Sequence, residues 1–281
     1  MGDESTTTTV RYSVTHDEET ETVILEDNRV LVRQQKPTRQ LWWLHIVCGL
    51  LELGSALSVP IYTDGVPGLA CYQSVYTNAG DVSVLPMGAV PVYTLVLMVF
   101  MAGVFEHTFC VILPDVYIEW VSFTNWFRWA SYAVVWPLLL ITVGYGSGIR
   151  EGFILVMMAG LALLVILSRV LVDMSRRLVF GDTRIRLLML LVGDFAIFWA
   201  LLPVWGVYTR YVGSPPGSMS AMVALGTVLF LCGVIIPPHV MLRRKETPPD
   251  VTTEIVYCVV WTTGKVLVGH LFAGSLAMTD Y

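Results

Sequence analysis

The sequence predicts an all-α membrane protein built as a bundle of seven transmembrane helices. Of its 281 residues, 55% are hydrophobic and only 14% are charged, against about 25% charged in an ordinary soluble domain. Mean hydropathy is strongly positive. Seven apolar runs reach the roughly 20 residues that cross a bilayer: Leu41 to Tyr62, Val90 to Leu113, Ile118 to Tyr145, Gly152 to Val172, Leu187 to Tyr208, Met219 to Leu242, and Ile255 to Met278. The third run is the least obvious, because Glu119, Asn125 and Arg128 fall in its first half.

Residues 1–40 precede the first run as a polar tail rich in Thr, Asp and Glu. The tail has no signal-peptide pattern and is expected to stay on the side where it is made. Within it, Thr22-Val-Ile-Leu, Glu26-Asp-Asn and Arg29-Val-Leu-Val read as a short hairpin, marginal on its own unless it packs on something. Residues 41–281 form the helical domain, interrupted by one long loop at 63–89. Apolar and polar residues alternate there around Tyr72-Gln-Ser-Val-Tyr and Asp81-Val-Ser-Val-Leu, which predicts a small β-element over the helix ends.

Seven spans place the two ends of the chain on opposite faces. On the N-terminal side lie Arg29, Arg33, Lys36, Arg39, Arg176, Arg177, Arg184, Arg186, Arg243, Arg244 and Lys245; the other side has only Arg150 and Arg210. The positive-inside rule then predicts a cytoplasmic N-terminus and an extracellular C-terminus. Cys48, Cys110, Cys232 and Cys258 fall inside spans and only Cys71 in a loop, so no disulfide framework is expected. No metal-ligand spacing, phosphate loop, nucleic-acid patch or enzymatic nucleophile stands out.

The exception to this apolar background is Lys265, one of three lysines, in the middle of the seventh run. A charge near the midplane is costly, so an intramembrane lysine reads as a functional group. Desolvation favours a neutral amine, and a neutral amine condenses with an aldehyde; retinal is the aldehyde that fits a membrane setting. Lys265 lies eleven residues past Glu254, roughly 16 Å into the membrane core. Glu52 and Ser131 reach a similar depth from the first and third runs, and Glu106 sits nearer the N-terminal side. One polar cavity shared by all four is the expectation.

His45, Cys48, Glu52 and Ser55 recur at helical spacing as an inward polar stripe. The bland role for Glu52 is a neutral, hydrogen-bonded acid that specifies packing. Of the adjacent pair Glu106 and His107, one is expected to point away from any single cavity. Asp194 and His270 read more simply as satisfied core groups. Many aromatic residues, among them Phe198, Trp199 and Trp205, suit ordinary core or interface positions. Trp261 is set apart, because it lies one turn before Lys265 on the same face. With Trp129, Ser131, Tyr132, Trp136 and Phe230, it completes the expected chromophore-lining set.

The stretches Asn125-Trp-Phe-Arg-Trp-Ala-Ser-Tyr and Glu254-Ile-Val-Tyr, then Gly264-Lys265-Val-Leu-Val-Gly-His, resemble the heliorhodopsins. That family carries Arg-Trp-x-Glu-Tyr in the third helix and a retinal lysine in the seventh. Gly49-Leu-Leu-Glu52 is a weaker echo, and Pro137-Leu-Leu-Leu is similar to ordinary microbial rhodopsins. The resemblance implies a cytoplasmic N-terminus, a partly β-structured first loop, a homodimer, all-trans retinal on Lys265, and Arg128 on the cytoplasmic side of it. It also exposes departures. Ser131 stands at the family's counterion Glu, Trp261 where pumps carry a second Asp, Thr142 where proton pumps carry a donor carboxylate, and Glu52 where heliorhodopsins have a cavity histidine.

With both usual counterion positions uncharged, a protonated Schiff base needs a substitute anion, for which Glu52 comes first and Glu106 second. The alternative is to lose the proton and absorb in the ultraviolet. The expected function is light sensing in the plasma membrane, with a cytoplasmic partner met by the basic loops and acidic tail. The rival reading is a light-gated proton or cation conductor using Glu52, Glu106 and Asp194; a third is a retinal-free scaffold. An enzyme is not expected.

Overall fold

In the computed structural model the chain is described over residues 12–17, 20–25, 30–35, 39–62, 69–76, 82–90, 92–114, 116–117, 126–175, 183–210, 217–234 and 251–277. Among these, the backbone forms seven long helices: α1 (Arg39–Tyr62), α2 (Val92–Ile112), α3 (Trp126–Gly146), α4 (Gly152–Ser175), α5 (Thr183–Thr209), α6 (Gly217–Val234) and α7 (Val251–Ala277). Six are long and apolar enough to cross a membrane. α6 covers the first part of the expected sixth span, whose remainder, 235–242, lies outside the described residues. So does 118–125, the polar beginning of the expected third.

Helices form here because a lipid-facing backbone must satisfy its own hydrogen bonds, and these runs are rich in Leu, Val, Met and Ala. Consecutive helices pack side by side from α1 round to α7, which returns to α1; α3 packs against α2, α4, α5, α6 and α7. α3 presents Tyr132, Val135, Trp136, Leu139, Leu140 and Val143 to the interior, a spacing of three and four that keeps one face inward. The outer surface is apolar, with Leu50, Leu57, Phe105, Val156, Leu188 and Phe195 all exposed. A continuous apolar exterior of this kind is stable only against lipid.

Two small sheets sit outside the bundle. The tail adds a strand to the expected hairpin: β1 (Tyr12–Asp17), β2 (Thr20–Leu25) and β3 (Val30–Gln35) form an antiparallel sheet in that order. Its register runs from Tyr12 opposite Leu25 to Thr20 opposite Gln35. β1 carries too few apolar residues for a period-two signal, and β2 supplies its register. The loop after α1 forms the hairpin β4 (Leu69–Tyr76) and β5 (Val82–Val90), with a register shift between Cys71, opposite Gly88, and Tyr72, opposite Pro86. Gly88 has φ +111, a left-handed conformation that glycine adopts without a Cβ penalty.

The hairpin is fastened to the turn between α3 and α4. The Tyr72 amide donates to the Arg150 carbonyl at 2.9 Å, and the Ser74 amide and hydroxyl donate to Glu151 at 3.2 and 3.0 Å. The contact is close at Gly152, where a Cβ would fall 2.6 Å from the Met87 sulfur and oblige that side chain to shift. Cys48, Cys71 and Cys110 are buried free thiols and Cys258 is partly buried, while the side chain of Cys232 lies outside the described set.

Candidate functional site

Halfway along α7 and α1, Lys265 and Glu52 meet in an ion pair. Their side chains are 2% and 0% exposed, so each charge is out of water and depends on the other. Gly103 on α2 makes the approach possible. A Cβ there would collide with the Glu52 carboxylate and with Lys265 Nζ.

From this pair a chain of polar groups runs toward the N-terminal face. His107 Nε2 lies 3.8 Å from Glu52 Oε1 and 3.3 Å from the Thr262 hydroxyl. The two Nδ1 atoms of His107 and His45 are 2.8 Å apart, and His45 Nε2 is 2.8 Å from the hydroxyl of Tyr117, just beyond α2. Burial pushes the Tyr117 phenol well above its usual range, so it keeps its proton. A hydroxyl that donates to His45 Nε2 puts the ring proton on Nδ1; that proton then points at His107 Nδ1, and the His107 N–H points at Thr262 and Glu52.

Glu106 occupies the other flank of α2. Ser131 donates a hydrogen bond to it, so an α2 carboxylate stands against the α3 serine where the resemblance expects glutamate. Glu106 and His107 both line one narrow cavity with Lys265, Tyr132, Arg128 and Glu254. The expectation that one of the two points away is therefore corrected. Neighbours about 100° apart on a helix both reach a cavity that wraps round it, Glu106 toward α3 and His107 toward α1 and α7.

Arg128 closes the N-terminal end of the cavity. It pairs with Glu254, and its guanidinium lies 5.1 Å from the Trp129 ring centre and 4.9 Å from that of Tyr257, within cation–π range. Trp129 in turn donates to Asp173 on α4 at 3.2 Å. On the inner side of α7 stands an aromatic group: Trp261 lies 4.5 Å from Trp136 and 5.2 Å from Tyr132, centre to centre, and Phe230 packs 5.0 Å from Trp136. Trp129 meets Tyr132 at 6.0 Å.

Asp194 does not join the carboxylates. It pairs with the buried Arg169 across α4 and α5 and is not among the cavity-lining residues, because a buried guanidinium one helix away is the nearer anion partner. His270 faces Phe100 at 5.8 Å. On the C-terminal side of Lys265 the described interior is mainly apolar, with Ala56, Val59, Val96, Phe100, Val268 and Phe272 all buried beside small hydroxyl residues such as Ser55, Thr142 and Ser147.

Sequence reasoning brought out Lys265, Glu52 and Glu106 because each breaks an apolar run. It missed Tyr117, the His45 to His107 contact and the pairing of Arg128 with Glu254. The last had a signal, since two opposite charges sit at the N-terminal ends of neighbouring spans.

Neither a protein-family model nor a curated protein matches the sequence. Solved structures do match. The rhodopsin of Exiguobacterium sibiricum aligns over 85% of this chain and 96% of its own, with TM-score 0.61 and 16% identity. Xanthorhodopsin, described as a light-driven ion pump with dual chromophore, aligns over 85% and 92%, with TM-score 0.61 and 14% identity. A light-driven proton pump from Leptosphaeria maculans aligns over 85% and 94%, with TM-score 0.56 and 11% identity. The seven-helix fold of this chain is the one these microbial rhodopsins share.

Proposed function

We propose that this protein is a light sensor of the heliorhodopsin type, with all-trans retinal bound covalently to Lys265. The observation that carries the reading is a lysine held out of water at mid-height of a rhodopsin fold, ion-paired with Glu52 and flanked by Tyr132, Trp136, Phe230 and Trp261. These four rings suit a polyene, because each offers it a flat apolar face. The buried indole N–H groups of Trp136 and Trp261 form no hydrogen bond among the described residues. Bound retinal supplies photoisomerisation and, as a protonated Schiff base, keeps a positive charge at the lysine nitrogen.

The residues of the chain do the rest. Glu52 holds the proton at Lys265 Nζ by charge. His107 supports the Glu52 carboxylate and connects it through His45 to Tyr117. Glu106, held by Ser131, is a second base within the same cavity. The carboxylates of the described helices are Glu52, Glu106, Asp173, Asp194 and Glu254, all at the level of Lys265 or on its N-terminal side. Among the described helices, a proton leaving the lysine therefore has carboxylate acceptors toward one face only. That asymmetry favours sensing over the rival reading as a proton or cation conductor, which needs polar groups on both sides.

The basic bias puts that face in the cytoplasm, where the loops and acidic tail are the surfaces for a signalling partner. A homodimer in the plasma membrane completes the reading. An absorption spectrum of purified protein given all-trans retinal, titrated with pH and repeated with Lys265→Ala, tests it. A visible band lost in the variant supports a paired Schiff base. An ultraviolet band lost in the variant keeps retinal on Lys265 but removes Glu52 as its counterion. No lysine-dependent band in either region overturns the proposal.

A further inference from the structure

We infer that the C-terminal face carries a binding groove for an anionic phospholipid, with its phosphate between Arg150 and Arg210 and part of one acyl chain along α5. The loops on that face, residues 63–91, 147–151, 210–216 and 278–281, hold no Lys or Arg except these two. Sixty residues apart in sequence, both line the same groove of about 790 Å³. Two guanidiniums converging on a face otherwise empty of cations make an anion site by charge alone, and the planar fork of arginine suits phosphate.

Each arginine sits at the end of a span, Arg150 just before α4 and Arg210 just after α5, the level at which headgroups lie. Arg150 is held in place: its Nη1 donates to the Tyr145 carbonyl at 2.8 Å, and its guanidinium lies over the Tyr145 ring at 5.5 Å. That leaves its other N–H groups for a ligand. The Arg210 side chain is exposed and has no partner among the described residues. The groove's one carboxylate, Glu151, is occupied by the Ser74 amide and hydroxyl of the hairpin.

The groove continues past the arginines as an apolar channel. Leu202 and Val207 line it from α5 and Ile154 from α4. Leu202 lies eight residues before Arg210, roughly 12 Å deeper in the membrane. Gly206 forms part of the wall, and a Cβ added there meets nothing within 4 Å. A free phosphate would use the mouth and leave this channel idle; a phospholipid fills both. A zwitterionic headgroup would bring its own cation beside the arginines, so the fit is to a lipid with net negative charge.

The test is retention of phosphatidylglycerol by the purified full-length protein, read by native mass spectrometry and by the thermal unfolding midpoint, against phosphatidylcholine and inorganic phosphate. One retained phosphatidylglycerol per chain and a raised midpoint are expected, with binding about tenfold weaker in Arg210→Gln, the loss of one charge-assisted contact. Arg210 is exposed, so that variant folds even if Arg150→Gln does not. Gly206→Leu should block the channel and weaken phosphatidylglycerol binding with both charges intact. Equal retention of phosphatidylcholine, protection by inorganic phosphate alone, or unchanged binding in both Arg210→Gln and Gly206→Leu would each overturn the assignment.

Discussion

At the scale of single residues, the negative charge beside Lys265 comes from α1. Ser131 on α3 carries none, and Glu52 makes the pairing with Lys265 in space left by Gly103. Glu106 keeps a second carboxylate close by, but spends a hydrogen bond on Ser131. The two are separable. Glu52→Gln should lower the pH at which a visible retinal band is lost by about 1–3 units, the size of a close charge pair, while Glu106→Gln should move it by about one unit or less. A spectroscopic pH titration of both variants checks this, and an equal or larger shift in Glu106→Gln would exchange their roles. Lys265 and Glu52 were legible in the sequence because isolated charges in apolar runs are costly and must pair. The contact between His45 and His107 was not, because helical spacing gives the direction of a side chain on its own helix but not the rotation of one helix against the next.

At the scale of elements, α4 and α5 behave as one unit. Ser168 packs so closely on Gly193 that a Cβ there would clash with it, and one residue along each helix Arg169 meets Asp194. Removing one partner of a buried pair leaves a bare charge, so Asp194→Ala should destabilise by about 3–5 kcal/mol. Thermal unfolding of Asp194→Ala, Arg169→Ala and the double variant tests this: the double should lose less than the sum of the two singles. Additive losses would mean that the charges do not couple. The existence and order of the helices followed from apolar run length, which the bilayer dictates. The polar start of the third run did not reveal where α3 begins, and Asp194, read as a satisfied core group, is one, although its partner Arg169 on the preceding helix was not named.

At the scale of the whole molecule, polarity is divided. Among the described residues, the buried charges and imidazoles lie at the level of Lys265 or on its N-terminal side, and the other half is apolar apart from small hydroxyl residues such as Ser55, Thr142 and Ser147. In vesicles of known orientation, light should therefore change the pH only on the N-terminal side and drive no sustained current at any clamped voltage. Tyr117→Phe, which removes the hydroxyl at the end of the imidazole chain, should slow that change several-fold by breaking the last transfer step. A current that reverses with the driving force would instead establish conduction.

The hairpin between α1 and α2 bears on how such a molecule moves. Its hydrogen bonds to Arg150 and Glu151 tie the first two helices to the third and fourth at one end of the bundle. The other end has no such strap among the described residues, and there the helices meet through side chains, Arg128 with Glu254, Trp129 with Asp173 and His45 with Tyr117. A bundle pinned at one end opens at the other, as a clothes peg does around its spring. A small displacement at Lys265 is then amplified by leverage toward the N-terminal side of the bundle.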